Sequence, residues 1–263
     1  MAERQAGDNL DHLQRVQGFH DADAAGYRDR RYRNDTCEGI AYVTRKEIIL
    51  GMAPVKPGKL LDIGCGPGIL TRDLVQKGHD VYNADLSMEM IRTARKTAGS
   101  SYNGHLSFIV GDASLIPFAA GKMDVVLSIG LMCYIKNHSG VLSEIYRVLK
   151  PGGFAIIQIN NIRWPALYRM FTPVYHALKS ILVGRKYDSL NFEFNFSSTG
   201  TFLKTLAANK FRVRDLEYYD FRIPFIDITL PKFSVKMGKA MYRNRKKSWL
   251  KMFAHGLLIK VEK

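Results

Sequence analysis

Three glycines at alternate positions, Gly64, Gly66 and Gly68, follow an apolar run from Lys59 to Ile63, and a helical pattern opens at Ile69. A strand, a tight turn and a helix in that order bring bare backbone up to a ligand, and the helix start offers unpaired N–H groups to anything anionic. A nucleotide-like ligand is the expectation. A dinucleotide fingerprint, G-x-G-x-x-G, needs its third glycine at position 69, which is Ile69, so a nicotinamide dinucleotide is a poor match. Asp85 stands about twenty residues beyond the turn, at the end of a second apolar run, where a carboxylate can accept both hydroxyls of a ribose. An acid there can also serve as a turn or cap residue, although Ser87 is available to cap the next helix. For proton transfer the candidates by location are His20, His138 and His176, with Tyr134 as a polar liner. No spacing ties any of these histidines to a partner acid.

These residues need a scaffold, and the chain's periodicity supplies one. Residues 1 to about 35 are polar and read as a broken helical segment carrying Tyr27 and Tyr32, and residues 38–52 read as a core-facing helix that ends at Pro54 to Gly58. After the glycine turn, a helix from Ile69 to Lys77 stops at Gly78. Strands are predicted at His79–Ala84, Leu106–Val110, Met123–Ile129 and Phe154–Ile159, with a helix over Val141–Leu149 and a turn at Lys150–Gly153 before the last of them. Alternating strands and helices imply a parallel sheet with right-handed crossovers and helices on both faces. A helix at Ser198–Asn209 and strands at Phe211–Tyr219 and Ala254–Glu262 complete the pattern.

With 263 residues and 46% hydrophobic content, the chain is expected to form one large α/β domain over residues 1–263, decorated beyond a minimal fold. Its first residues are polar, and no apolar run approaches the roughly eighteen residues of a spanning helix, so a cytosolic protein without leader or membrane span is expected. Cys37, Cys65 and Cys133 are odd in number and lack metal-ligand spacing, which agrees with a reducing compartment and argues against a zinc site.

Taken together, LLDIGCGPG at residues 60–68, the acid Asp85, the stretch GDASLIPF at 111–118, MDVVLSI at 123–129 and EIYRVLKPGGFAIIQI at 144–159 resemble the motifs of class I S-adenosylmethionine-dependent methyltransferases. The resemblance is strong over residues 42–159 and holds in outline beyond. It implies a Rossmann-like, doubly wound sheet of seven strands, mostly parallel with the last antiparallel, and S-adenosyl-L-methionine as cofactor. It also implies roles by position. Asp62, Gly64, Gly66 and Gly68 form the first motif, Asp85 with Leu86 takes the ribose, Asp112 the adenine amine with Ala113 beside the ring, and Ile129 closes the fourth strand against the cofactor. Tyr27 is a candidate lid residue in an N-terminal helical lid over residues 1–52, or simply an aromatic anchoring a surface helix. Many relatives carry histidines where this chain has Cys133 and Tyr134, which leaves the acceptor chemistry without an obvious base.

Two insertions, 162–190 and 221–256, follow the carboxyl ends of strands, the edge where open α/β sheets bind ligands. They carry net charges of +4 and +8, most of the chain's +15. In the second, Lys232, Lys236, Lys239 and Arg243 line one helical face while Phe233, Met237, Ala240 and Met241 share another. These basic amphipathic caps fit an anionic membrane surface, or a cap packed on the domain with its lysines merely solvated. The expected function is methyl transfer to a small or lipid-like acceptor, at oxygen, in a cytoplasmic protein, with peripheral contact at the inner membrane face as an option if the caps bind lipid. A tRNA methyltransferase is an alternative, weakened by the lack of an appended RNA-binding module, and a non-catalytic cofactor-binding protein that docks on membranes is another.

Overall fold

The computed structural model describes residues 2–54, 56–99, 104–161, 173–174, 177, 195, 198–221 and 226–263. Helix α1 spans Ala2–Asp23 and runs through a 3-10 turn at Ala24–Gly26 into α2, Tyr27–Arg31. Helix α3, Cys37–Met52, starts where the Thr36 hydroxyl accepts the Gly39 N–H at 3.0 Å. Strand β1, Lys59–Ile63, is buried from Leu60 onward, as a central strand covered on both faces must be. It leads through the glycine turn to α4, Thr71–Gln76. The alternation continues with β2, Asp80–Asp85; α5, Met88–Ala98; β3, Leu106–Val110; β4, Met123–Ser128; α6, His138–Val148; and β5, Leu149–Asn160. Then follow α7, Thr199–Ala208; β6, Arg212–Phe221; α8, Ile226–Thr229; α9, Pro231–Arg243; a 3-10 stretch at Ser248–Phe253; and β7, Ala254–Glu262.

The seven strands lie in the order β3-β2-β1-β4-β5-β7-β6. Pairs from β3 to β5 are parallel, and β7 runs antiparallel to both of its neighbours. The expected sheet is therefore the observed one. One boundary differs: β5 begins at Leu149, which pairs with Met123 before a register shift, so the Lys150–Gly153 segment expected as a turn is drawn into the strand. One core face packs α6 and α7 through Leu142, Ile145 and Phe202 against β4 and β5, and the other packs α3 and α4 through Ile49 and Leu74 against β1. The order reverses direction at β1, which lies between β2 and β4. A crevice must open there, beyond the carboxyl ends of these strands. The second insertion contributes α8, α9 and the 3-10 stretch, while the first falls almost wholly outside the described residues.

Candidate active site

Where β1 ends, the amides of Gly64 and Cys65 both donate to the Ala84 carbonyl, at 2.8 and 3.1 Å, pinning the turn to the end of β2. Gly66 holds a left-handed φ of +55°, and a Cβ built on it meets only open space, so the main chain itself faces the crevice. Gly68 differs: a Cβ there would come within 3.0 Å of the Ala94 methyl and 2.9 Å of Thr71 Oγ1, and its role is the close packing of turn on helix. The Gly66 N–H donates to Asp85 Oδ2 at 2.8 Å, and the Ser87 N–H donates to Asp85 Oδ1 at 2.9 Å. One carboxylate thus ties two backbone segments together. Ser87 is the cap of α5, accepting from Met90 N at 3.0 Å.

Around this turn lies a cavity of about 260 Å³. Gly64, Gly66, Asp85, Leu86, Asp112, Ala113 and Ile129 line it, as do Tyr27, His20 and Tyr134. The remaining expected residues lie elsewhere. Asp62 stands behind the lining, His138 donates its Nε2–H to the Met132 carbonyl at 2.9 Å and packs edge-on against Phe202, and His176 lies outside the described residues. The two described histidines are therefore not brought together: only His20 lines the cavity, its ring edge-on to Tyr134 with centroids 4.8 Å apart.

Other cavity residues were not singled out from the sequence. Glu38, Ala41, Tyr42 and Arg45 form one face of α3, Gln158 and Asn160 end β5, and Tyr219 and Asp220 end β6. The spacing 38, 41, 42, 45 was a visible signal, since it puts an arginine on the inward face of an otherwise core-facing helix. Arg45 is buried, stacks over Tyr42 at 4.5 Å, and reaches Gln158 Oε1 and the Tyr32 hydroxyl at 3.4 Å each. Among the described residues no carboxylate pairs with it.

Burial dominates the electrostatics. It pushes the Asp62 carboxyl up to about 7, helped by the Asp85 charge and opposed by that of Arg45, and Asp62 Oδ1 is buried with no hydrogen-bond partner among the described residues. Burial, then the Arg31 charge, pulls His20 down to about 4, so its ring is neutral at physiological pH. It also raises the Tyr134 phenol, which stays protonated, and pushes the Cys133 thiol up to about 12. Asp62 gives a prediction. A carboxyl whose folded pKa is raised destabilises the fold increasingly as pH rises from its unfolded value through about 7. Asp62→Asn is expected to gain about 3–4 kcal/mol at pH 8 and almost nothing at pH 3, read by denaturant unfolding of the ligand-free protein at both pH values. An equal change at both would overturn the assignment.

Residues 61–157 match the model of the methyltransferase domain family. The chain is 33% identical over 175 residues to a demethylmenaquinone methyltransferase of Beutenbergia cavernae, a match covering 60% of this chain and 70% of that protein. The chain belongs to the class I S-adenosylmethionine-dependent methyltransferases. A malonyl-[acyl-carrier protein] O-methyltransferase of Serratia marcescens is 31% identical over 140 residues, covering 53% of this methyltransferase and 47% of the Serratia protein, so the chain spans about half the length of that relative. In fold, this methyltransferase is similar to a SAM-dependent methyltransferase of Thermotoga maritima, with a TM-score of 0.61 and 17% identity over 92% of this chain and 97% of that one. S-adenosylmethionine is the cofactor of the family.

Proposed function

We propose that the protein methylates a small or lipid-like acceptor at oxygen, with S-adenosylmethionine as donor. The observation that carries this is one cavity in which acids fit for a nucleoside, Asp85 and Asp112, share walls with a neutral imidazole, a phenol and an arginine that has no carboxylate partner among the described residues. The donor's groups match that set. Asp85 would hold the ribose hydroxyls, Asp112 the adenine amine between Ala113 and Leu86, and Gly64 and Gly66 would admit the chain against bare backbone. Arg45 would take the amino-acid carboxylate, and the buried Asp62 would favour its ammonium through space. When bound, the cofactor supplies a methyl group activated by its sulfonium.

The remaining work falls to the chain. Much of the acceleration in such a displacement can come from holding acceptor and methyl in line, worth up to roughly 7–11 kcal/mol. Tyr134 donates a hydrogen bond to orient the acceptor, and neutral His20 beside it accepts the acceptor's proton. Residues 1–52 act as a lid. Asp21 Oδ1 accepts the Ser87 hydroxyl and the Glu89 N–H, His12 donates to the Tyr134 carbonyl at 2.8 Å, and Lys136 Nζ donates to the Asp8 carbonyl at 3.1 Å, so α1 is tied across the cavity's rim.

The test is calorimetric titration with S-adenosylmethionine and S-adenosylhomocysteine, followed by labelled-methyl transfer to phenolic and quinol acceptors. One site per chain and a labelled methyl ether support the reading, and a folded protein that binds neither ligand rejects it. His20→Ala is expected to lower kcat about a hundredfold with cofactor affinity unchanged. In the wild type, the imidazole is competent only when neutral, so kcat at saturating cofactor should rise through about pH 4 and stay flat to pH 8. A profile rising near pH 6.5 would remove His20 as the base.

A further inference from the structure

The second insertion presents a surface that methyl transfer does not use. Helix α9 turns Ser234, Gly238 and Tyr242 inward: Ser234 is buried against Cys37 of α3, Gly238 lies over the Phe221 carbonyl, and Tyr242 packs with Met241 on Phe221, Leu250 and Ala254. Its opposite face is solvent-exposed and carries Lys232, Lys236, Lys239 and Arg243 in a row at helical spacing. Residues 230–253 hold eight Lys or Arg and no Asp or Glu. Two of the eight are engaged, Arg245 with Glu217 at 3.5 Å and Lys251 over the Tyr218 ring at 5.3 Å. The four on the row, with Lys246 and Lys247, have no carboxylate partner among the described residues.

Both ends of this row are apolar. Leu230 and Phe233 at its start are 57 and 55% exposed, and Trp249 and Met252, in the 3-10 stretch that packs under the helix's far end through Leu250, are 59 and 51% exposed. Cations between exposed aromatic and aliphatic anchors match an anionic bilayer surface, where the cations meet headgroups and the anchors enter the interface. A polynucleotide would be met by stacking aromatics, and Leu230 and Met252 have no ring to stack. Among the described residues no helix is long and apolar enough to cross a membrane, so this is a surface contact.

We infer that α9 and the following 3-10 stretch dock the protein on anionic lipid. The site lies next to the chemistry: α3 presents Cys37 and Thr44 toward α9 and Glu38, Tyr42 and Arg45 toward the cavity, so the two are separated by one helix, about 8–10 Å between axes. Docking there would let an acceptor drawn from the membrane reach the cavity. That purpose rests on the lipid-like acceptor reading, while the docking itself does not.

The experiment is co-sedimentation with vesicles of phosphatidylcholine and of phosphatidylcholine with phosphatidylserine, using the full chain. The wild type is expected on the anionic vesicles only. Each cation near such a surface is worth about fivefold in partitioning, so changing Lys232, Lys236, Lys239 and Arg243 together to Gln should weaken binding at least about a hundredfold. Phe233→Ser with Trp249→Ser should weaken it separately, and in a Trp164→Phe background Trp249 emission should shift to the blue on adding anionic vesicles. Absence of wild-type binding, equal binding by the four-cation variant, or steeply salt-dependent binding to single-stranded RNA with none to vesicles would overturn the inference. S-adenosylhomocysteine titration of the same samples separates the two readings. Intact cofactor binding without vesicle binding sinks docking alone, and vesicle binding without cofactor binding sinks the proposed activity alone.

Discussion

Asp85→Ala is expected to weaken S-adenosylhomocysteine binding about a thousandfold while leaving a cooperative thermal transition. The carboxylate does two jobs at once. Toward the protein it accepts the Gly66 and Ser87 amides at 2.8 and 2.9 Å, and toward the cavity it offers its remaining lone pairs. Hydrogen bonds to a charged group contribute about 1.5–3 kcal/mol each, so losing two ribose hydroxyl contacts together approaches three orders of magnitude in affinity. The structural share is smaller. Two amides at the edge of an open cavity lose a partner but can turn to water, at a cost of about 1 kcal/mol. Asp85→Asn separates the shares, because its amide oxygen still ties one of the two amides while the charge facing the ribose is gone. Calorimetry on both variants, with denaturant unfolding beside it, is the measurement. Affinity for the nucleoside ligand unchanged in both would overturn the ribose role and leave Asp85 as a tie for the turn.

The same residue shows what can be read locally. Asp85 was marked by its distance from a glycine turn and by the end of a strand, both short-range features, and the structure adds only that the acid ties the turn as well. The alternating strands and helices from Lys59 to Asn160 were legible for the same reason, since periodicity and caps such as Ser87 are written within a dozen residues. Tyr219, Asp220 and Gln158 were not legible. Gln158 and Tyr219 meet Arg45, and Asp220 joins the same cavity wall, only because β7 runs back between β5 and β6, and nothing near them in sequence announces that pairing. Histidines give the clearest case: His20 and His138 look alike in sequence, each without a spaced partner acid. The long α1 carries one to the cavity, while α6 turns the other onto the Met132 carbonyl. Arg45 stands between these cases, since its helical face could be read but not the absence of a carboxylate partner among the described residues.

That absence gives the second large effect. A buried guanidinium keeps its charge, and holding it out of water without a carboxylate costs the fold free energy that a bound anion returns. The neighbours soften the cost without neutralising it, through the Tyr42 face, a hydrogen bond with the Tyr219 hydroxyl and two long hydrogen bonds at 3.4 Å. Arg45→Met keeps the length and loses the charge. Its ligand-free stability is expected to change by no more than about 1 kcal/mol, because weak contacts and a desolvation penalty disappear together. Affinity for S-adenosylhomocysteine should fall about a hundredfold, the value of one charge-assisted pair. Arg45→Lys, which keeps the charge but not the planar fork, should recover part of that loss. The sharpest readout is the melting temperature with and without ligand. The wild type should gain stability with ligand concentration as linkage requires, and Arg45→Met should start level with it and gain far less. If Arg45→Met binds S-adenosylhomocysteine as tightly as the wild type but loses turnover, the arginine serves the acceptor's anion instead. If its ligand-free form is several kcal/mol less stable, Arg45 belongs to the core and its place in the cavity is incidental.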